Sequence, residues 1–265
     1  MGPVPVDLAA ARAAVEVTAR QAADLLRSLP DPSVRVPGLH WTVGQTAAHL
    51  VAAARYYPRY ATGQTAPDAT IDLTDGNLER IAQVGEHGLA ELADLLIAET
   101  QRLLVLTADL APDHRVAFHG GTTLNLAEQT GILLGEYVIH GLDLARSVPR
   151  PWPINPRYAR LVIAAATALL PRYIDPAAAR SITVAYDIRV RGGPRFGLQL
   201  THGAATVVSG LAGSVDCHIS ADPVAFLIVA YGRGSLWPPI IRGKLTSWGR
   251  KPWRALGLTR LLVNP

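Results

Sequence analysis

Four prolines fall within nine residues of this chain, in the segment VPRPWPINP at 148–156. Proline fixes φ and lacks a backbone N–H, so this density excludes a helix or an inner strand across the segment. Alanine- and leucine-rich stretches precede the segment, and short alternating stretches follow it. A chain of 265 residues has room for two domains, and we expect them at 1–149 and 150–265.

The first domain is predicted to be a bundle of four long helices, because apolar residues recur there at helical spacing. Thr42 followed by Gln45 is a capping-box pattern, with Trp41 at the staple position before it. Thr122 or Thr123 is the expected N-cap of the last helix. The third helix is long enough for a break near Gly85 or Gly88. We expect the four helices within residues 6–29, 40–63, 74–110 and 123–146.

The second domain is predicted to be a smaller α+β domain. One helix is expected over 157–171, and the short alternating segments that follow are punctuated by Gly or Pro, as hairpins require. Asp222 as N-cap and Pro223 in the first turn predict a helix in DPVAFLIVAYGRG. The segment IIRGKLTSWG is predicted to be a last strand, and KPWRALGLTRLLV a last helix.

Composition indicates which classes of partner and which cellular compartment to expect. Hydrophobic residues make up 49% and charged residues 17% of the chain, which favours a folded protein with a sizeable core. We find no stretch of the roughly 20 apolar residues that a bilayer span needs and no signal-peptide pattern. Cys217 is the single cysteine; we expect it to be an inert strand residue in a reducing cytoplasm. The net charge of +4 comes from scattered arginines, which predicts neither a nucleic-acid nor a membrane partner.

The stretch GEYVIHGLDLARSV at 135–148 places three ionisable residues on an otherwise apolar helix. Glu136 and His140 are four residues apart and therefore share a face, which Asp143 continues. On the second helix, His49 lies among alanines and leucine in TAAHLVAAA. Inward polar groups on two helices of a bundle can converge on one cation.

Two histidines and one glutamate leave a coordination position open, which is typical of a catalytic metal site. Zinc suits this set best, and iron or nickel can bind it as well. The alternative is structural, because a histidine in an apolar helix is usually a core residue and Glu–x–x–x–His can be an intrahelical ion pair. Asp143 either orients His140, lines the pocket or has no role. The other histidines are expected to take no part, although His119 lies just ahead of the fourth helix.

WTVGQTAAHLV together with GEYVIHGLDLA resembles the mycothiol-dependent maleylpyruvate isomerase family of actinobacteria, within the wider DinB-like metalloenzymes. The resemblance implies a DinB-like bundle whose zinc ligands match His49, Glu136 and His140. It also implies that the C-terminal half, with DPVAFLIVAYGRGS, is a sterol-carrier-like domain, and that Arg233 in its Gly–Arg–Gly–Ser is catalytic. By residue type alone, Arg233 is a helix-end arginine that binds the last carbonyls. With the resemblance, we expect it to bind a substrate carboxylate.

The resemblance further implies mycothiol as a thiol cofactor and a small molecule as its electrophile. A free thiol is a weak nucleophile at pH 7, and coordination to a divalent metal deprotonates it. The thiolate is expected either to add to a double bond, allow rotation and leave, which is cis–trans isomerisation, or to displace a leaving group, which is S-transfer. Gln45, Tyr56 and Asp143 are expected to line the pocket.

Two other classes of function stay open. One is a thiol-independent DinB-like metallohydrolase, and the other is a non-enzymatic carrier of an apolar ligand. The sequence names neither the electrophile nor the oligomeric state, monomer or dimer.

Overall fold

The structure is a computed structural model that describes residues 4–70, 72–148, 150–208 and 214–263. Asp7–Ile154 form one unit, and the described residues outside that range form a second. The division at 154/155 lies within the proline-rich segment 148–156, of which Pro149 is outside the described residues. Residues before Asp7 belong to the second unit, where the backbone N–H of Val4 donates to Thr167 Oγ1 at 3.1 Å.

Long amphipathic helices build the first unit. They are α1 (Leu8–Ser28), α2 (Val43–Ala61), α3 (Thr74–Val84), α4 (Leu89–Leu106) and α5 (Leu126–Ala145). Each of α1 and α2 packs against both α4 and α5, so these four helices form the predicted bundle, and the shorter α3 lies against α2. The predicted break in the third helix is confirmed, because Gly85 ends α3 with φ of 88°, a conformation that glycine adopts without steric cost.

The start of the last bundle helix differs from the prediction of Thr122 or Thr123 as N-cap. Arg115–Phe118 (β1) and Thr122–Asn125 (β2) form an antiparallel hairpin. Asn125 is the N-cap: its side chain accepts from the Glu128 N–H, and the Glu128 carboxylate accepts from the Asn125 N–H. This reciprocal capping box satisfies two otherwise unpaired donors, and the β-branched threonines before it suit a strand.

The second unit has the predicted α+β character. It contains α6 (Pro156–Ala166), α7 (Pro176–Ala179), β3 (Thr183–Val190), β4 (Arg195–Thr201), β5 (Ala204–Val208), β6 (Cys217–Ala221), α8 (Pro223–Ala230), α9 (Trp237–Ile241), β7 (Leu245–Trp248) and α10 (Arg254–Gly257). The strand order is β5-β4-β3-β6-β7. The pair β3 and β6 is parallel, and the other pairs are antiparallel.

Several elements of this unit match the sequence-based expectation. Asp222 caps α8, with Pro223 as the first helical residue. The last strand lies where predicted, whereas the predicted last helix is reduced to the four residues of α10 followed by a 3-10 turn. Cys217 is fully buried in β6, and burial raises the pKa of its thiol, which favours the inert form. Within the described ranges, none of the helices has the length and apolar composition to cross a bilayer.

Candidate metal centre

Two helices of the bundle carry the polar residues of the candidate site. The α2 helix begins at the predicted capping box, in which Thr42 Oγ1 accepts from the Gln45 N–H and Gln45 Oε1 accepts from the Thr42 N–H. His49 lies two turns further along, between buried residues that are mostly alanine. Small side chains let a neighbouring helix approach closely, and α5 packs there. The α5 helix supplies Glu136 and His140 from one face.

The ligand atoms of His49, Glu136 and His140 all lie within 4.8 Å of one another. His49 Nε2 is 3.1 Å from Glu136 Oε2, and His140 Nε2 is 3.5 Å from the same oxygen. Two nitrogen or oxygen ligands on one tetrahedral zinc ion, with bonds of about 2.0–2.1 Å, are about 3.3 Å apart. The two distances to Glu136 already match this spacing, whereas the His49 and His140 nitrogens, which lie within 4.8 Å of each other, would move closer to hold one ion.

A second layer of side chains orients the two imidazoles. Asp143 is buried, and its Oδ2 lies 3.1 Å from His140 Nδ1. A carboxylate on Nδ1 holds the proton there, so that Nε2 is the nitrogen with a free lone pair. The Trp41 ring centre lies 4.8 Å from that of His49 and 5.9 Å from that of His140. The indole therefore covers both rings on one side.

The ionisable side chains of the site lie close together in a buried part of the bundle. Burial disfavours the anion of Glu136, but hydrogen bonds from His140 and His49 overcome it and hold the pKa of Glu136 well below its usual range. Burial also disfavours the cation of His140, yet hydrogen bonds to Asp143 and Glu136 raise the pKa of His140 to about 8. For His49, burial dominates and lowers the pKa. The cluster thus holds an anionic carboxylate that a nearby cation must balance.

Comparison with known proteins places the bundle in a family. The family model described as the mycothiol maleylpyruvate isomerase N-terminal domain matches residues 8–145, which run from the start of α1 to the end of α5 and make up more than half of the chain. The chain belongs to this family. The motifs WTVGQTAAHLV and GEYVIHGLDLA, which suggested it in the sequence, both lie inside the matched range.

Solved structures share the fold beyond the family domain. The crystal structure of the mycothiol-dependent maleylpyruvate isomerase superposes with a TM-score of 0.54 at 17% identity, covering 91% of this chain and 93% of its own. A mutant of the same isomerase gives the same values. A UbiJ-SCP2 ubiquinone synthesis protein matches 42% of this chain and 93% of its own at 22% identity, with a TM-score of 0.32. A comparison with curated protein sequences gives no match.

The other residues that sequence analysis singled out lie in varied places. Gln45 uses its side-chain oxygen in the α2 cap. Tyr56 lies against two arginines and donates to Gln83. Asp143 contacts the predicted ligand His140 directly, and its role stays a prediction. Arg233 follows α8 in the other unit and donates to the Tyr231 carbonyl at 2.8 Å, a contact of the kind expected for a helix-end arginine.

Sequence reasoning missed three residues beside the candidate metal centre. Trp41 was assigned only a staple position, although its ring contacts both imidazoles. Arg80 lies close enough for its charge to contribute to the lowered pKa of His49, after burial as the main cause. Asp68 pairs with Arg80 at 2.8 Å, and the Asp68 backbone N–H donates to His119 Nδ1 at 3.1 Å. The last two come from α3 and the loop before it, where the sequence has no periodic signal that points toward His49.

Proposed function

We propose that this protein is a metal-dependent enzyme that uses a low-molecular-weight thiol, mycothiol, as nucleophile on a small electrophile that bears a carboxylate. The observation that carries the proposal is the convergence of His49, Glu136 and His140 from two helices, with all three ligand atoms within 4.8 Å. Membership of the mycothiol maleylpyruvate isomerase N-terminal domain family supports the thiol.

His49, Glu136 and His140 would hold the ion, and zinc suits two imidazoles and a carboxylate. When bound, a divalent ion supplies Lewis acidity that favours a thiolate over a thiol at neutral pH. Asp143 keeps the proton of His140 on Nδ1, and Trp41 shields one side of both imidazoles. Three protein ligands leave a coordination position for an exogenous group, as catalytic sites require.

An ion pair without a metal accounts less well for this arrangement. Glu136 needs one protonated imidazole to balance its charge, yet two imidazoles approach the same oxygen, and the His140 ring is oriented by a further carboxylate. Without a metal, Asp143 would stabilise the His140 cation, but the approach of His49 to the same Glu136 oxygen would have no charge to balance. A divalent ion shared by three ligands explains why both imidazoles approach Glu136.

Bound mycothiol would supply a sulfur nucleophile, and this chemistry suits either of two reaction classes. In a cis–trans isomerase the sulfur would add reversibly to an activated double bond of the substrate, and in an S-transferase it would displace a leaving group and remain attached to the substrate. Arg233 is proposed to bind the substrate carboxylate, because a planar guanidinium matches two carboxylate oxygens. Replacing Arg233 with lysine is expected to raise KM more than it lowers kcat, since lysine keeps the positive charge but lacks the planar guanidinium that matches two carboxylate oxygens.

Metal analysis by inductively coupled plasma mass spectrometry tests the proposal. Wild type is expected to hold about one divalent ion per chain, and His49→Ala and His140→Ala to lose most of it, because each removes one of three protein ligands. His87→Ala is the matched control: His87 lies on the same unit and pairs with Glu91 at 2.7 Å, so its loss should leave the metal content unchanged. Wild type without stoichiometric metal would contradict the proposal and favour an apolar-ligand carrier.

Isothermal titration calorimetry with mycothiol separates thiol-dependent chemistry from hydrolysis. The metal-loaded wild type is expected to release or absorb heat with saturation, whereas His140→Ala should not. A metal-loaded protein that shows no mycothiol binding would support a DinB-like hydrolase instead.

A further inference from the structure

Four arginine side chains line one cavity of about 220 Å³ in the first unit, between α2, α3 and α4. They are Arg55, Arg59, Arg80 and Arg102. A cavity needs only about 10–15 Å³ of such volume to hold one water molecule, so this one has room for a small organic anion. It lies at Tyr56, about 10 Å along α2 from His49 at 1.5 Å per residue.

Positive charge exceeds negative charge around this cavity. Glu99 is the one carboxylate among its described lining residues, and it pairs with Arg55, whose Nε lies 2.7 Å from Glu99 Oε1. Arg59 and Arg102 lie within salt-bridge distance of no carboxylate in the part of the chain that the structure describes. Two guanidinium charges are thus left to attract an anion.

Arg80 is held rigidly in the wall of the cavity. Its side chain is only 12% exposed and pairs with Asp68 at 2.8 Å, and it donates to Asn77 Oδ1 at 3.1 Å. A Cβ at Gly76 would fall 2.9 Å from both the Arg80 guanidinium and the Asp68 carboxylate, so glycine makes room for the pair. Burial disfavours the charge, but the hydrogen bond to Asp68 outweighs it and raises the pKa of Arg80.

Tyr56 connects two of the arginines. The guanidinium carbon of Arg59 lies 5.3 Å from the centre of the Tyr56 ring, and that of Arg80 lies 5.7 Å from it. The Tyr56 hydroxyl donates to Gln83, an exposed residue of α3. Cation–π contacts therefore hold two like charges near each other, an arrangement that an anion between them would stabilise.

We propose that this basic cavity is a binding site for an oxyanion ligand with two or more negative charges, such as a dicarboxylate or a phosphate. The planar fork of arginine forms paired hydrogen bonds with both chemistries. Arg80 is largely covered and ion-paired, and Arg59 contacts the Tyr56 ring, whereas Arg102 is exposed at the edge of the cavity. The proposal does not rest on the proposed function, although the charge of Arg80 also reaches His49.

Calorimetric titration with inorganic phosphate and, separately, with malonate tests the inference. Arg59→Gln, Arg102→Gln and the double variant remove the two unpaired charges without touching the Asp68–Arg80 pair. Each single variant is expected to bind at least about tenfold more weakly, since a hydrogen bond between ionised groups contributes this much. Arg20→Gln, an exposed arginine of α1 paired with Glu16, is the matched control for the change in net charge and should bind as wild type does.

The two titrants identify the ligand chemistry. Binding of malonate alone indicates a carboxylate ligand, and binding of phosphate alone indicates a phosphorylated one. His49→Ala, which should lose the metal, is expected to keep anion binding that still depends on Arg59 and Arg102, so a failed metal site leaves this test intact. Absence of binding by both anions, or equal affinity in wild type and the double variant, would overturn the inference.

Discussion

The carboxylate of Asp143 is expected to set the affinity of the candidate metal centre without being one of its ligands. Its Oδ2 lies 3.1 Å from His140 Nδ1, and the residue is 1% exposed, so water cannot replace it. Removing such a partner of a ligating histidine costs roughly 10–100-fold in metal affinity, or about 1.4–2.7 kcal/mol. Asp143→Asn keeps an oxygen acceptor and loses the charge, so we expect about a tenfold loss. Asp143→Ala removes the acceptor, so we expect a loss near the hundredfold end.

A competition titration of Zn²⁺ against a chromophoric chelator measures these affinities, with circular dichroism of the metal-free variants to confirm that they fold. Glu128→Gln is the matched control, because Glu128 is a buried carboxylate on the same helix that serves the α5 cap. It should lower stability and leave zinc affinity unchanged. A folded Asp143→Ala that binds zinc within about twofold of wild type would refute the argument that this carboxylate orients His140.

Three other predictions concern the framework. Gly141→Ala should destabilise the protein by about 1–3 kcal/mol in chemical denaturation, because overpacking is costly. The added Cβ would fall 2.1 Å from the Trp152 ring. An unchanged denaturation midpoint would show that the ring moves freely. Tyr137→Phe should cost about 1–3 kcal/mol by leaving Thr100 Oγ1 without its partner at 2.8 Å, and additivity with Thr100→Val in a double-mutant cycle would contradict this. For Asp187, burial opposes ionisation, but hydrogen bonds from cationic side chains lower the pKa to about 2. Its contribution of about 2 kcal/mol should therefore be present above pH 4 and lost as the pH falls toward 2, and Asp187→Asn should remove this dependence from acid unfolding curves.

Local signals made several features of the fold predictable. The capping box of Thr42 and Gln45, the break at Gly85 and the Asp222 cap each involve residues a few positions apart, and such short-range geometry depends little on the rest of the chain. The start of α5 was mispredicted because local signals alone do not show whether Thr122 caps a helix or pairs in a strand. Thr122 and Asn125 both suit a cap locally, and the hairpin partner that commits Thr122 to a strand lies at Phe118.

For the candidate site, too, the sequence determined some features and the tertiary structure the others. Sequence alone determined that Glu136, His140 and Asp143 share one face of a helix, because the helical repeat places residues three and four apart side by side. Only the tertiary structure decided that His49 meets them at 3.1 Å and that the Trp41 ring covers both imidazoles, because these distances come from the packing of α2 on α5. The position of Arg80 beside Asp68 likewise depends on how α3 lies against α2, a contact between side chains that no periodic pattern in the sequence connects.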